Sequence, residues 1–248
     1  TLLTAISTET AKQLRLAGIK GNKIHIVFDT IEMDKTVKRS TEPLKEPLPG
    51  MDRHPRILLA ASILHRKGQH TAIKAIARLK SEGLDPALWL PGIQYGNDQS
   101  YLEHLHDLVD KLGLSQNVHF LGWRNDIPAI MHQSNIVVVP SHTEGFCHAV
   151  LEGMLLRRPV IATPVGGIQD SIEDGVNGLN FPIDDDEALA SHIKRLATDS
   201  QYVAALTESG YKTATERFNP ENHTQKVTEA LFEALERKSK DKVGKKNG

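Results

Sequence analysis

Cysteine is almost missing from the 248-residue sequence, and the single thiol of Cys147 excludes an internal disulfide. Chains without disulfides are typical of reducing compartments, so a cytoplasmic protein is expected. An excess of charge is also missing, because 30 basic and 31 acidic side chains nearly cancel, which argues against general nucleic-acid binding. The sequence has no apolar run long enough to cross a bilayer and no signal-peptide pattern at its start.

Two phosphate-binding motifs are missing as well. No G-x-G-x-x-G follows the first strand pattern and no P-loop is found, so hydride-transferring and nucleotide-hydrolysing enzymes lack their main element. His142 and Glu144 form the H-x-E of zinc deaminases, but those enzymes need further cysteine ligands that the sequence does not provide. The sequence therefore predicts no metal site.

An alternation of strand and helix patterns fills most of the chain and predicts a doubly wound, Rossmann-like parallel sheet of the α/β class. Short apolar runs predict strands at 56–61, 87–90, 118–121, 136–139 and 159–162. Amphipathic segments predict helices at 68–80, 101–112, 127–132, 187–196, 202–218 and 224–235.

Composition divides the chain into five segments. Residues 1–34 have a strand, helix and strand pattern, and residues 35–54 carry charges and prolines with little periodicity, as expected of a linker. Residues 55–218 hold the alternating patterns, 219–236 a terminal helix, and 237–248 a lysine-rich tail that is expected to be disordered. Such a tail could make a weak peripheral contact with the inner face of a membrane. Because the sequence starts without methionine inside a strand pattern, a piece of a longer protein is expected.

Residues 136–182 contain two successive transitions from strand to helix. The first strand ends at Pro140, Glu144 then leads into a helix that carries Glu152, and the second strand ends in the glycine turn 166–167. Because the carboxyl ends of parallel strands meet at one sheet edge, both helix N-termini are expected there, where anions bind. At the first of them three backbone amides would be unpaired, those of Gly145, Phe146 and Cys147.

Three charged side chains are candidates for ligand contacts at this edge. Lys67 follows the first strand after the predicted linker, where it could meet a diphosphate; a solvent-facing loop lysine is the alternative. Glu144 and Glu152 are eight positions apart, a helical rise of roughly 12 Å, whereas a pair that hydrolyses a glycosidic bond is about 5 to 9.5 Å apart. The spacing suits the two ends of an extended ligand. That Glu144 caps its helix and Glu152 is a solvated charge stays open as the alternative.

Taken together, these motifs resemble the donor-binding domain of the retaining GT-B glycosyltransferases, of the group 1 or family 4 type. The resemblance rests on PS-x-x-EGF at 140–146 with a second acid at Glu152, RRPVIAT at 157–163, DGVNGL at 174–179, LHRKG at 64–68 and FLGW at 120–123. It covers nearly the whole chain. Residues 1–34 resemble the end of the preceding acceptor domain, and 219–236 resemble the helix that crosses back to it.

The resemblance implies one half of a GT-B enzyme that transfers a sugar from a nucleotide diphosphate donor to a hydroxyl acceptor, with retention of configuration and without a metal cofactor. Lys67 and Glu144 would act at the diphosphate and the sugar, and Glu152 would hold the ribose hydroxyls. The other donor-binding positions that it implies are Gly145, Phe146, Cys147, Val150, Trp123 and Arg124, the last two against the base. Without the missing half, which would supply the acceptor pocket, weak donor binding and little turnover are expected.

Two positions depart from the family pattern. Ser62 stands where many members have an arginine that shares the diphosphate, and Arg66 is the neighbouring candidate to replace it. Residues 29–32 read D-T-I-E instead of the usual N-G-[IV]-D of the hinge. A non-catalytic module that binds nucleotide sugars, or the donor half of a two-chain transferase, therefore stays open as the alternative function.

Overall fold

The computed structural model describes residues 2–94 and 99–244, with side chains to residue 236. The strands are β1 (Leu3–Ala5), β2 (Ile24–Ile26), β3 (Arg56–Leu58), β4 (Ala87–Pro91), β5 (Val118–Gly122), β6 (Ile136–Val139), β7 (Val160–Ala162) and β8 (Leu179–Asn180). The helices are α1 (Thr8–Leu16), α2 (Met33–Ser40), α3 (Gln69–Ser81), α4 (Ser100–Lys111), α5 (Ile127–Gln133), α6 (His148–Leu155), α7 (Ile168–Ser171), α8 (Asp186–Thr198), α9 (Ser200–Lys212) and α10 (Pro220–Gly244).

Strands β3 to β8 form one parallel sheet in the order β5-β4-β3-β6-β7-β8. The chain adds β4 and β5 on one side of β3 and then returns to add β6, β7 and β8 on the other side. Strands β3 and β6 therefore border the point where the strand order reverses, and ligands of such sheets bind outside the carboxyl ends of these two strands. This sheet confirms the predicted α/β fold, and β6 has the bounds that its apolar run predicted.

Helices cover both faces of this sheet, so its strands are buried on both sides. Successive residues of a strand point to opposite faces, and in β3 Ile57 packs into one hydrophobic cluster while Leu58 packs into a second one. In β6 the same alternation places Val138 in the first cluster and Val137 in the second. This two-sided burial explains why the strands appear in the sequence as almost continuous apolar runs.

Strands β1 and β2 form a separate parallel pair. Helix α10 lies against this first segment, since His223 Nδ1 is 2.8 Å from the carbonyl oxygen of Phe28 and His25 Nε2 is 3.1 Å from Glu233 Oε2. The terminal helix therefore contacts residues 1–34, which is the arrangement that the resemblance implies. The division of the chain into domains stays a prediction.

Residues 35–54 contain more structure than a linker was expected to have. Helix α2 begins at Met33, and the flanking residues Ile31 and Leu48 pack into the second hydrophobic cluster. The buried positions of α2 are Thr36 and Ser40. Because polar side chains fill the buried face, apolar periodicity could not reveal this helix.

The end of the chain also differs from the expectation. Helix α10 continues from 237 to Gly244, into the segment that was expected to be disordered. Residues 245–248 and the side chains from 237 onward lie outside what the structure describes, so the membrane contact stays a prediction. Over the described ranges, no helix combines the length and the apolar character that crossing a membrane requires.

Candidate functional site

The loops that follow β3 and β6 are joined where the strand order reverses. Gly68 adopts the left-handed conformation, with φ +68°, and a Cβ there would lie 2.0 Å from the carbonyl oxygen of Pro140. The backbone N–H of His142 donates to the carbonyl oxygen of Arg66 at 2.8 Å. Only glycine permits this approach, so the K-G pair in the sequence fixes where Lys67 lies.

Lys67 and Glu144 form a nearly buried ion pair at this junction. Lys67 Nζ is 2.5 Å from Glu144 Oε1, and Ser141 Oγ donates to the same oxygen at 2.7 Å. The side chains of Lys67 and Glu144 are 16 % and 9 % exposed. The structure thus brings together the two residues that the resemblance names as catalytic, and Glu144 binds a lysine instead of capping its helix.

The glycine turn 166–167 supports the loop that carries Glu144. A Cβ at Gly166 would lie 1.7 Å from the carbonyl oxygen of Glu144, and Gly167 N–H donates to the carbonyl oxygen of Gly145 at 3.0 Å. The two glycines are therefore required for close packing of backbone on backbone. The second anion-binding opening at this turn stays a prediction, since Gly167 N–H is already bonded whereas Gly166 lines a cavity together with Glu144.

Unpaired backbone amides lie at the start of α6. Among the hydrogen bonds of the described residues, none is donated by the backbone N–H groups of Gly145, Phe146 or Cys147. Because the N-terminus of a helix carries partial positive charge, these amides are available to an anionic ligand beside Lys67.

Two residues predicted from the resemblance do not reach the site with their side chains. Phe146 is 3 % and Val150 0 % exposed, and both pack into the second hydrophobic cluster. The prediction of Val150 as a donor-binding residue is therefore wrong, and Phe146 has only its amide to offer. Burial, together with the charge of Glu144, raises the pKa of the Cys147 thiol to about 12, so this thiol is not a nucleophile at neutral pH.

Two connected cavities extend along this edge of the sheet. A cavity of about 320 Å³ contains the Lys67–Glu144 pair, and a cavity of about 720 Å³ continues from it past Glu152. They share five lining residues, namely Ala60, Ala61, Ser62, His148 and Ala149. We call the two cavities together the trough. Its size is that of a typical small-molecule site.

Glu152 is a half-buried carboxylate in the larger cavity. Burial raises its pKa above the ordinary value, and the nearby charges of His148 and Arg39 oppose that change in part. No donor within the described residues forms a hydrogen bond or ion pair with it. Glu152 is thus not a solvated charge, and its oxygens are available to two hydroxyl groups of a ligand.

Trp123 and Arg124 follow β5 and line the larger cavity, but only one of the two side chains is free to contact a ligand. Trp123 is 64 % exposed. Arg124 forms two bonds with Asp126, from Nε to Oδ1 at 2.8 Å and from Nη2 to Oδ2 at 2.7 Å. The Arg124 guanidinium lowers the pKa of Asp126 to about 2. Because that guanidinium is used within the fold, Trp123 is the residue that can stack on a base.

Ser62 and Arg66 lie at the Lys67–Glu144 end of the trough. Ser62 lines both cavities, and its carbonyl oxygen accepts a hydrogen bond from Gln69 Nε2 at 2.8 Å. Arg66 lines the smaller cavity, and its Nη1 is 3.4 Å from the carbonyl oxygen of Thr143. Arg66 is therefore close to the trough but exposed, and its replacement of the family arginine stays a prediction.

The larger cavity also contains three basic residues that the sequence did not predict there, namely Lys35, Arg39 and His148. Lys35 and Arg39 are four positions apart on α2, so they share one helix face. That spacing of basic residues is a usable sequence signal, which the prediction of a linker obscured. Lys35 and Arg39 place positive charge in the cavity that contains Glu152.

A third cavity lies between α1 and the Glu144 loop. Its volume is about 530 Å³, and its lining includes Glu9 and Gln13 on one side and Glu144 on the other. Thr8 N–H donates to Asp170 Oδ2 at 2.8 Å and so ties α1 to α7. Because Glu144 also lines the trough, the Lys67–Glu144 end of the trough opens toward the first segment.

The trough lies where doubly wound sheets bind nucleotides, and its amides, lysine and unpaired carboxylate complement phosphate and ribose. Fold and site therefore define a nucleotide-binding α/β domain. The family model of the group 1 glycosyl transferases matches residues 41–213. The chain belongs to this family, and its sheet is one half of the GT-B architecture.

The relatives and solved structures agree with this assignment. The lipopolysaccharide core biosynthesis glycosyltransferase LpsE of Rhizobium meliloti (strain 1021) is 32% identical over 181 residues, which are 73% of this chain and 49% of that protein. The alpha-D-kanosaminyltransferase of Streptomyces kanamyceticus is 30% identical over 201 residues, 79% of this chain and 50% of that protein. Anabaena Alr3699/HepE in complex with UDP superposes with a TM-score of 0.84 at 25% identity, over 94% of this chain and 64% of that one. The chain thus spans about half to two thirds of the length of these proteins.

Proposed function

We propose that the trough binds a nucleotide diphosphate sugar, with its diphosphate and sugar at the Lys67–Glu144 pair and its ribose at Glu152. One observation carries this proposal: continuous cavities join a lysine and unpaired amides at one end to an unpartnered carboxylate and an exposed tryptophan at the other. Each group complements a different part of such a donor. The HepE structures in complex with UDP and with UDP-glucose support uridine as the base.

In the proposed reaction, the bond between the anomeric carbon and the diphosphate oxygen breaks, and its electron pair leaves with the diphosphate. Negative charge grows on that oxygen, where the Lys67 ammonium and the amides of 145–147 stabilise it. An ammonium group has three donors, so Lys67 can bind phosphate oxygens and Glu144 at once. Ser141 keeps the Glu144 carboxylate in place beside the sugar. Because protein donors stabilise the leaving group, the step requires no metal.

We further propose that the full-length protein transfers the sugar to a hydroxyl acceptor with retention of configuration. Retention means that the acceptor oxygen forms its bond to the anomeric carbon on the face from which the diphosphate leaves, and the hydroxyl proton passes to the departing diphosphate oxygen. The cavity between α1 and the Glu144 loop offers a route to the reacting end. The relatives are glycosyltransferases of greater length, so this activity is proposed for a protein that contains the second half as well.

Ser62 is the observation that favours a second candidate, a module that binds the donor without transferring the sugar. Its neutral side chain brings no charge to the diphosphate, which lowers the stabilisation of the leaving group. Incubating the full-length protein with a radiolabelled UDP-sugar and candidate acceptors separates the two functions. Release of UDP together with a glycosylated product supports the transferase, and binding without release supports the module.

Isothermal titration calorimetry of this chain with UDP, GDP and their sugars tests the donor site. We expect saturable binding of UDP and of a UDP-sugar and weaker binding of the guanosine ligands. If none of the four ligands binds, the proposed donor site is wrong. For the full-length enzyme, NMR of the product reports the anomeric configuration, and an inverted product contradicts the proposed retention.

A further inference from the structure

Three side chains, one from a helix and two from loops, converge beside the Lys67–Glu144 pair. His70 lies in the first turn of α3, His142 in the loop after β6, and Asp184 between β8 and α8. Asp184 Oδ1 is 3.0 Å from His70 Nε2 and 2.8 Å from His142 Nε2. One ligand atom from each of the three residues lies within 4.8 Å of the other two. The proposed sugar transfer uses none of these side chains.

We propose that His70, His142 and Asp184 form a binding site for a divalent cation of the zinc type. Two imidazole nitrogens and one carboxylate oxygen are ligands that Zn²⁺ prefers, with a fourth position for water. Bonds of about 2.0 to 2.1 Å in a tetrahedron place the ligand atoms roughly 3.4 Å apart. The separations of Asp184 Oδ1 from the two imidazole nitrogens, 3.0 and 2.8 Å, would increase by about half an ångström to admit the ion, and the ligand nitrogens of the two histidines lie within 4.8 Å of each other.

Outer contacts orient His70 as they do in metal sites. Its Nδ1 is 2.9 Å from Tyr101 Oη, which is in turn 3.4 Å from Gln69 Oε1. In the cation-bound state the proton lies on Nδ1, so that His70 donates to Tyr101 and the lone pair of Nε2 is directed to the cation. A hydrogen bond at one ring nitrogen that directs the other to the metal is the usual arrangement of metal-binding histidines. The His70 side chain is only 12 % exposed, so packing also holds this orientation.

Asp184 is oriented toward the histidines and not toward the helix that follows it. Thr71 Oγ1 donates to its Oδ1 at 3.0 Å, and its backbone is left-handed, with φ +61°. Aspartate is one of the residues that tolerate this conformation. The N-cap of α8 is Asp185, whose side chain accepts from Ala188 N–H. Asp184 therefore does not cap α8, although it belongs to the acidic run D-D-D-E at 184–187.

The route for an ion is open and the surroundings are rich in imidazole. The Asp184 and His142 side chains are 52 % and 22 % exposed, so an ion can enter from solvent. The ring of His65 stacks on His70 with centroids 4.9 Å apart and meets the edge of His142 at 5.3 Å. A bound cation would therefore tie together α3, the loop that carries Glu144 and the segment before α8.

Zinc titration of the untagged chain, by calorimetry and by metal analysis after dialysis, tests this site. We expect one zinc ion per wild-type chain. His70→Gln, His142→Gln and Asp184→Asn should each weaken binding by more than about 100-fold, because loss of an outer partner alone costs about 10- to 100-fold. Tyr101→Phe removes such an outer partner and should weaken binding by about tenfold. The matched control is His132→Gln, an exposed histidine of α5, which should bind zinc as the wild type does.

Two measurements on the wild-type chain keep the test independent of how the variants fold. Zinc should raise its melting temperature, since an ion that binds only the folded state stabilises that state. Cobalt bound in place of zinc should show the strong visible absorption of a four-coordinate site. The proposal is overturned if the wild type binds no stoichiometric zinc, or if folded variants at the three ligand positions bind zinc as tightly as His132→Gln.

Discussion

Two nearly buried ion pairs, Arg124–Asp126 and Lys67–Glu144, contribute side chains to the lining of the trough. They differ in how many of their hydrogen-bonding groups are already bonded to protein. Arg124 and Asp126 form two parallel bonds, with further bonds from Arg124 to the Glu46 carbonyl oxygen at 3.2 Å and from Lys45 N–H to Asp126 at 2.8 Å. Lys67 and Glu144 share one bond of 2.5 Å. The first pair is saturated by protein, and the second has donors left over for a ligand.

This difference separates a pair that holds the fold from a pair that can bind a substrate. Arg124 and Asp126 are joined by two parallel hydrogen bonds and have further backbone partners. If either residue bound a ligand instead, the other would be left as a buried, unpaired charge. An ammonium group with one protein partner can take a second acceptor without losing the first. Burial alone does not distinguish the two cases, since Glu144 is 9 % and Asp126 5 % exposed.

The largest effect is expected from breaking the saturated pair. Asp126→Ala leaves Arg124 buried without its partner, so the free energy of unfolding should fall by about 3 to 5 kcal/mol. Denaturation in urea measures it. The matched control is Glu82→Ala, which breaks an exposed pair with Lys194 and should cost about 0 to 1 kcal/mol. A loss for Asp126→Ala no larger than that of the control contradicts the assignment of this pair to the fold.

Glu152 is a carboxylate without a protein partner, so its replacement should raise the free energy of unfolding, whereas replacement of Asp126 should lower it. In Glu152→Gln the UDP affinity should fall about 10- to 100-fold, corresponding to about 1.5 to 3 kcal/mol for hydrogen bonds to a charged group. The free energy of unfolding should rise, because burial opposes the charge of Glu152 and the amide removes it. Calorimetry and urea denaturation measure the two quantities. Unchanged affinity together with lower stability would show that Glu152 serves the fold.

The pH dependence of stability sharpens the contrast between these two carboxylates. The pKa of Asp126 is lowered from 3.8 to about 2, so its contribution to stability is present above 3.8 and is lost as pH falls toward 2. The pKa of Glu152 is raised, so the advantage of Glu152→Gln should be absent at low pH and appear as pH rises through that raised value. Urea denaturation across the acid range, with Asp126→Asn as the second variant, measures both trends. Parallel pH curves for the wild type and both variants contradict these assignments.

The smallest effect is expected at the edge of the trough. Arg66 is exposed, so Arg66→Ala should weaken UDP binding by no more than about fivefold, which corresponds to less than about 1 kcal/mol. Calorimetry measures it, with Lys74→Ala on the exposed face of α3 as the control. An affinity equal to that of the control removes Arg66 as the replacement for the family arginine at Ser62.

The part of the fold that sequence patterns predicted is the part that apolar residues define. The run 136–139 has one apolar face on each side of the sheet, and it became β6 without a change of bounds. The order of strands around β3 then brings Lys67 to Glu144, as expected for residues after neighbouring parallel strands. The apolar pattern was sufficient to predict the bounds of β6, and the general topology of parallel sheets was sufficient to predict that Lys67 lies near Glu144.

What the sequence did not reveal depends on polar burial or on distant contacts. Helix α2 buries Thr36 and Ser40, so it has no apolar stripe to detect. Arg124 was expected at the base, but its partner Asp126 lies only two positions away and captures the guanidinium. The His70 and His142 contacts of Asp184 join positions 114 and 42 residues apart, and no local pattern specifies them.

The central claim is that Lys67 binds the diphosphate of the donor, and the ratio of UDP affinity to uridine affinity tests it most directly. Calorimetry should show that the wild-type chain binds UDP more tightly than uridine. In Lys67→Ala this ratio should fall by about 10- to 100-fold, because a charged hydrogen bond contributes about 1.5 to 3 kcal/mol, while uridine affinity stays the same. Glu152→Gln should weaken both ligands equally and leave the ratio unchanged. A Lys67→Ala variant that folds and keeps the wild-type ratio contradicts the account.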